Sequence, residues 1–129
     1  MEYYFSKVLK GREMEEVLSA VGEELKKEGF GILTDIDVKA TFKKKLDIDF
    51  RNYRILGACN PNFAHKAISA EPNIGVFLPC NVVVQEVENG DIHVSAVDPV
   101  ASMMSVENDS LGDIANEVRT RLKKVIEQL

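Results

Sequence analysis

The sequence predicts an α+β fold with a mixed, mainly antiparallel sheet and helices packed on one face of that sheet. Segments with apolar residues at every second position alternate with segments in which apolar residues recur every three or four positions, the patterns of strands and helices. The dipeptide Asn89-Gly90 separates two β-branched segments, which is typical of a hairpin and excludes a wholly parallel sheet. The chain has 129 residues, 45% of them hydrophobic, so we assign residues 1–129 to a single domain with one core.

The first part of the chain predicts two strands, each followed by a helix. Aromatic and β-branched residues at 3–9 predict the first strand. Apolar residues at 12–28 recur at helical spacing, and Gly29 is a typical end of such a helix. The extended stretch at 30–38 predicts the second strand, and a short helix is expected over 39–46.

The middle of the chain predicts a third strand and a third helix. The stretch YRILGA at 53–58 is typical of a buried strand. Asn60 and Pro61 then form a helix beginning, because asparagine accepts a bond from a free amide and proline loses no intrahelical bond at the first position. Pro72 should end this helix near Glu71. The inward stripe of the helix is expected to contain Phe63, Ala64, Ala67 and Ile68.

The C-terminal part predicts a hairpin and a last helix. Pro79 cannot donate to a strand ladder, so a break is expected before the strand at 82–87. This strand pairs with 92–97 through a two-residue type I′ turn at the Asn-Gly pair. After a short helical turn, the last helix begins near Ser110. Its inner stripe consists of Leu111, Ile114, Val118, Leu122, Val125 and Leu129.

The predicted element order is β-α-β-α-β-α-β-β-α. Helices on one side leave an edge or the second face of the sheet without a cover. Such a surface is a natural site for twofold association, so we expect a homodimer.

Charge and hydropathy exclude several classes of partner. The formal net charge of -5 offers no general attraction to phosphate backbones, and the densest basic run is Lys43–Lys45, so no nucleic-acid partner is expected. No stretch is long enough to span a membrane, and residues 1–11 do not resemble a secretory signal. We therefore expect a cytoplasmic location, where a disulfide between Cys59 and Cys80 is disfavoured.

Six short motifs follow one another along the chain. They are GFGILTDIDVK at 29–39, YRILGACNP at 53–61, AH at 64–65, PNIG at 72–75, LPCNVVV at 78–84 and VSAVDP at 94–99. Through these motifs the chain resembles, over most of its length, the bacterial and archaeal family named domain of unknown function 302. The resemblance implies an α+β fold and a homodimer, and it implies no catalytic mechanism because the biochemical role of that family is unassigned.

Cys59 is the best candidate for a reactive atom. It lies directly before the predicted cap of the third helix, where the positive helix end and nearby amides would stabilise a thiolate. A structural role, as a small apolar residue that ends a buried strand, is the more frequent one for a free cysteine.

Four further residues complete a candidate ligand-binding set with Cys59: Asn60, His65, Cys80 and Asn81. If the two cysteine turns meet in space, the thiols could act as a dithiol or hold a soft metal or a ligand, with His65 as proton acceptor. Each residue also has a structural explanation, as a helix cap, a turn residue or a hydrogen-bonded histidine. The local cysteine and histidine pairs of common zinc sites are missing, so neither a metal nor a cofactor is expected.

The sequence contains none of the common nucleotide-binding or hydrolase motifs. We therefore expect a homodimeric small-molecule-binding or accessory protein rather than an enzyme, with a polar pocket at the two Cys-Asn turns. One alternative is a thiol or redox enzyme with Cys59 as nucleophile, assisted by Cys80 or His65. Another is a structural or protein-interaction module in which these residues only stabilise turns.

Overall fold

Five strands form one sheet in the computed structural model, which describes residues 2–129. The strands are Tyr4–Leu9 (β1), Gly31–Asp37 (β2), Tyr53–Cys59 (β3), Cys80–Glu86 (β4) and Ile92–Val97 (β5). Their spatial order is β1-β5-β4-β3-β2, and every neighbouring pair is antiparallel. The predicted α+β fold is confirmed. The sheet is antiparallel throughout rather than mixed, since β1 and β2 lie at opposite edges and the other strands that helices connect pair antiparallel.

Five helices complete the fold. They are Met14–Lys27 (α1), Val38–Leu46 (α2), Pro61–Ala70 (α3), Pro99–Ser102 (α4) and Ser110–Glu127 (α5). A 3-10 helix at Pro72–Phe77 connects α3 to β4. No helix within residues 2–129 combines the length and the apolar character that crossing a membrane requires.

The main core lies between the sheet and the long helices α1 and α5. Helix α1 buries Val17, Val21 and Leu25, which a spacing of four residues places on one side of the helix. Helix α5 buries most of its predicted stripe and also Ala115 and Ile126. The strands contribute the following residues to the same cluster: Leu9, Leu56, Ala58, Cys80, Val82, Val84, Ile92, Val94 and Ala96.

Helix α3 contributes to a smaller, second cluster. Ala67 packs there with Ile74 of the 3-10 helix and Leu111 of α5. The prediction that Ile68 belongs to the inward stripe is wrong, since its side chain is 45% exposed. It follows Ala67 by one position, which rotates it by about 100° around the helix axis and toward solvent.

The hairpin between β4 and β5 is present, but its turn differs from the predicted one. Gly90 has a φ of +86°, whereas Asp47 is the one non-glycine residue with positive φ in the described chain. A type I′ turn needs positive φ at both Asn89 and Gly90, so it is not formed. The Gly90 amide donates to the Val87 carbonyl and the Val87 amide to that of Asp91, which makes a three-residue loop with glycine in the left-handed position.

The second face of the sheet carries no long helix, and we call it the open face. It is formed by the side chains that alternate with the buried ones: Tyr4, Ser6, Val8, Thr34, Ile36, Tyr53, Ile55, Asn81, Val83, Gln85, His93, Ser95 and Val97. Helix α2 is not part of the core that the other helices form with the sheet, since none of its residues is buried. Its Phe42 ring instead packs on Phe50, which contacts Tyr53 of the open face.

Candidate functional site

The two cysteine turns meet at one end of the sheet. Cys80 lies opposite Ala58 in the register of β3 and β4, so Cys59 is the next residue along the neighbouring strand. Both cysteines line one cavity, which α3 and α5 close from the side. They are free thiols in the structure. The two cysteine turns, which had to meet in space for the candidate site to exist, are therefore close together.

The cavity is apolar, whereas the sequence predicted a polar pocket. Its walls include Phe30, Phe63, Leu78, Pro99, Ile114 and Val118, and its free volume is about 40 Å³. The walls are apolar because the apolar stripes with which α3 and α5 pack on the sheet also face the cavity. A guest in this cavity would be held by its shape and apolar surface more than by hydrogen bonds.

Cys80 is the less reactive of the two thiols. It belongs to the core, where its exposure is 7%. Burial raises the pKa of Cys80 to about 11, and negative charge on Cys59 adds to that shift. The Cys80 side chain therefore stays a neutral thiol near neutral pH, which makes it a poor nucleophile.

Cys59 is the more accessible thiol. It ends β3 and is half-buried, and the residue that follows it begins α3. It lines the cavity beside Cys80.

Asn60 lies at the N-cap of α3, as predicted, but its side chain forms no capping bond. Its Nδ2 donates instead to the Glu28 carbonyl at 3.3 Å, and the Arg121 guanidinium donates to the same carbonyl at 3.1 Å. The end of α1 is thereby joined to the N-cap of α3 and to the C-terminal half of α5. A side chain at Gly29 would approach Asn60 Nδ2 to 2.9 Å, and Gly29 has a φ of +84°, so this position needs glycine.

His65 and Asn81 do not line the cavity. His65 is exposed on α3 and borders a separate cleft, which Asn60 also lines. Asn81 is exposed on the open face, where it pairs with Gly57. Alternation along β4 explains this, because Asn81 points away from the side on which Cys80 is buried. Within residues 2–129, no three side chains of histidine, cysteine, aspartate or glutamate converge as metal ligands.

The second wall of the cavity was not recognised as part of a site in the sequence. Leu111, Ile114, Ala115 and Val118 of α5 all line it. In the sequence their only signal is helical periodicity, which is the same for a wall residue as for a core residue. Arg121 was missed for a similar reason, since an arginine on an amphipathic helix is ordinarily part of the solvated face.

Comparisons with known proteins agree on one family. The family described as "Domain of unknown function DUF302" matches residues 5–129. The chain is similar to a solved structure described as an uncharacterized conserved protein DUF302 from Bacillus stearothermophilus, with 28% identity and a TM-score of 0.90. That similarity covers 99% of this chain and 98% of the other. No curated protein matches the chain. Since the match extends over nearly the whole sequence, the chain belongs to the DUF302 family.

Proposed function

We propose that the protein is a small cytoplasmic, homodimeric binding domain, and that its ligand occupies the cavity between the two cysteine turns. The observation that carries this proposal is the convergence of Cys59 and Cys80 on one apolar cavity. Protein interiors are packed with few voids, so a cavity at the end of a sheet, flanked by a half-exposed thiol, is an unusual feature. Apolar cavities stay dry and take up small apolar molecules.

The size of the cavity limits the ligand. Pockets for drug-sized molecules measure about 300–1,000 Å³. The free volume of about 40 Å³ accommodates only a small group unless a wall side chain moves. The proposed ligand is therefore a small molecule, or a larger molecule of which one short apolar part enters the cavity.

Ligand-dependent thermal unfolding tests this proposal. A ligand that binds only the folded state at about a hundred times its Kd adds about 2.7 kcal/mol of stability and raises Tm by several degrees. Small apolar and amphipathic compounds are the probes, and at least one should raise Tm.

A variant that fills the cavity provides the matched control. Ala115→Leu adds carbon atoms inside the cavity and should abolish the shift. Ala70→Leu makes the same change at an exposed position of α3 and should keep it. A shift that Ala115→Leu leaves intact would mean that the ligand binds elsewhere.

A thiol or redox enzyme is the second candidate function. The accessibility of Cys59, next to a buried partner thiol, favours it over other forms of catalysis. Under this alternative, Cys59→Ser abolishes chemistry on thiol-reactive substrates, whereas under the binding proposal the same variant keeps the Tm shift of an unreactive ligand.

The proposed homodimer pairs the open faces of two copies. None of the side chains of the open face is an aspartate, glutamate, lysine or arginine, although 29% of the chain is charged. Charged residues are depleted at interface centres, where tyrosine is enriched. Side chains on a twofold axis meet their own copies, so a charge at the centre of a face that pairs with itself would meet a like charge. An interface with a different protein is not under this restriction, because a charge on one side can face an opposite charge on the other.

A further inference from the structure

A shallow cleft adjoins the cavity on the side of α3 and α5. Its volume is about 430 Å³, and its lining includes Asn60, Asn62, Phe63, His65, Lys66 and Arg121. Asn60 and Phe63 also line the cavity, so the cleft and the cavity lie on either side of these two side chains. An elongated molecule that spans both must pass these two side chains.

The cleft carries basic groups without acidic ones. Its lining includes Arg121, Lys66 and His65 but no aspartate or glutamate. The chain as a whole has 21 acidic and 16 basic residues, so this local composition is the reverse of the average. Outside this lining, the Glu117 carboxylate lies 3.1 Å from the Arg121 guanidinium and offsets part of its charge.

Lys66 and Arg121 both lie near the same aromatic ring. Lys66 Nζ lies 5.7 Å and the Arg121 guanidinium carbon 5.2 Å from the centre of the Phe63 ring. Each contact is a cation–π attraction, which helps to hold two like charges near one another. Both cations therefore lie near the ring that borders the cleft and the cavity.

The three basic groups differ in how free they are to bind a ligand. Arg121 donates to the Glu117 carboxylate and to the Glu28 carbonyl, which leaves part of its five-donor guanidinium for another acceptor. Among the residues that the structure describes, Lys66 contacts the Phe63 ring and has no carboxylate partner. Lys66 is therefore the natural first contact for an anion.

We propose that the ligand is an amphipathic anion whose carboxylate or phosphate group binds Lys66, Arg121 and His65, while its apolar part passes Phe63 into the cavity. The inference rests on the cavity as the binding site of the proposed function and adds the chemical class of the ligand. The cavity volume of about 40 Å³ compares with about 30 Å³ for one water in the liquid, so the cavity holds little more than one group of methylene size.

Calorimetric titration with straight-chain carboxylates from acetate to octanoate, the matching primary alcohols and inorganic phosphate tests the inference. Affinity should rise by about fourfold for each buried methylene until the cavity is full, and then level off. Each carboxylate should bind more tightly than the alcohol of equal length, and added salt should reduce only that difference. Tighter binding of inorganic phosphate than of acetate would identify a phosphate headgroup.

Single substitutions distinguish binding in the basic cleft from binding in the apolar cavity. Lys66→Gln should weaken carboxylate binding about five- to tenfold and leave alcohol binding unchanged. Lys44→Gln, on the exposed surface of α2, removes the same charge far from the cleft and should change neither. Arg121 is unsuitable for this test because it also ties α5 to the end of α1.

The outcomes distinguish this inference from the proposed function. Equal binding of alcohols and carboxylates, unaffected by Lys66→Gln, would overturn the anionic headgroup and leave the cavity as a binding site. Carboxylate binding that neither chain length nor Ala115→Leu alters would show an anion site alone and overturn the bridging ligand. Failure of every probe to bind would overturn both.

Discussion

At the scale of single residues, the two thiols of the cavity should react at very different rates. Cys80 is buried and its pKa is raised to about 11, so few molecules carry its thiolate at any ordinary pH. We expect iodoacetamide to modify Cys59 at least about tenfold faster than Cys80 in the folded protein between about pH 7 and 9. Mass spectrometry of timed digests measures both rates.

Cys59→Ser and Cys80→Ser variants assign each rate to its residue, and a denatured sample shows the rates without burial. Similar rates for both cysteines in the folded protein would show that the cavity opens far more readily than its packing implies. A Cys59 rate that already levels off near pH 6 would favour the thiol enzyme over the binding domain.

Gly57 is a second residue whose replacement should have a clear effect. A side chain there would lie 2.7 Å from Pro79 Cγ and closer still to Thr34 Oγ1. Thr34 belongs to β2 and Pro79 directly precedes β4, which limits how far these neighbours can move, so Gly57→Ala should lower the free energy of unfolding by about 2 kcal/mol. Urea denaturation followed by circular dichroism measures the change.

Gly112→Ala is the matched control for that substitution. Nothing lies within 4 Å of a side chain added at Gly112, which is in α5. Because alanine is a better helix former than glycine, this variant should be about 0.5–1 kcal/mol more stable than the wild type. Equal effects of the two variants would contradict the steric explanation for Gly57.

At the scale of elements, the ion pair between β2 and β3 makes stability depend on pH. Arg54 donates two hydrogen bonds to the Asp35 carboxylate, at 2.6 and 2.8 Å. These bonds are the main reason that the pKa of Asp35 lies below its ordinary value; burial, the next largest effect, opposes them, and the charge of Arg54 adds a smaller lowering. The folded-state pKa is depressed, so the stabilisation is present above the unfolded-state pKa and is lost as pH falls through the folded-state pKa.

Asp35→Asn should therefore cost stability at neutral pH and not in acid. The pair is partly exposed to solvent, which limits the expected loss to about 0.5 kcal/mol at pH 7. The difference from the wild type should shrink as the pH falls below 3.8, the ordinary value for aspartate. Thermal unfolding across that pH range, with Asp49→Asn as an exposed control, measures it; a pH-independent difference would contradict the ion-pair explanation.

Elements whose signal is local were predictable from the sequence. The long helices α1 and α5 follow from apolar spacing alone, and the structure places their ends within about two residues of the predicted ones. The turn at Gly90 was predicted with the wrong type, because the Asn-Gly pair is compatible with more than one loop. Local chemistry predicts that a turn occurs there, while the pairing of β4 with β5 decides its length.

The candidate site was only partly predictable because it depends on contacts between distant segments. Cys59 and Cys80 were recognised from their local motifs, and the register of β3 and β4 brings them together. Asn60 was predicted as a cap, but the Glu28 carbonyl, 32 residues earlier, takes its side-chain amide. Side chains alternate along β4, so Asn81 lies on the face opposite to that of Cys80. The Cys-Asn motif in the sequence does not show this difference.

At the scale of the whole molecule, the open face is large enough for a stable interface. Five strands about 4.8 Å apart and about 20 Å long cover a flat area of roughly 500 Å². Because side chains protrude from this plane, the accessible area is larger and approaches the ~800 Å² per partner of a standard interface. Tyr4, Val8 and Ile36 are each between 39% and 48% exposed there. Two such faces can pack as aligned sheets, with the side chains of both filling the space between them.

A charge at the centre of the open face should separate the proposed dimer. Ser95 lies between Ser6 and Val83 on neighbouring strands, so in a face-to-face dimer it is near its own copy or among uncharged neighbours. Ser95→Arg would bury an unpaired charge in each protomer, which costs several kcal/mol in an interface. Analytical ultracentrifugation should give twice the chain mass of 14.4 kDa for the wild type and a single chain mass for the variant.

Two matched variants separate the open face from the other surfaces that could associate. Ser69→Arg adds the same charge on the exposed side of α3 and should remain dimeric, with the circular dichroism of all variants unchanged. Leu33→Lys places a charge on the edge strand β2, where the side chain is 68% exposed, and should also remain dimeric. If Leu33→Lys dissociates the dimer and Ser95→Arg does not, the copies pair edge to edge instead, since only that geometry makes β2 the contact. A wild type that sediments as a single chain at about 100 μM would exclude a dimer of ordinary affinity, because complexes with micromolar Kd are mostly associated at that concentration.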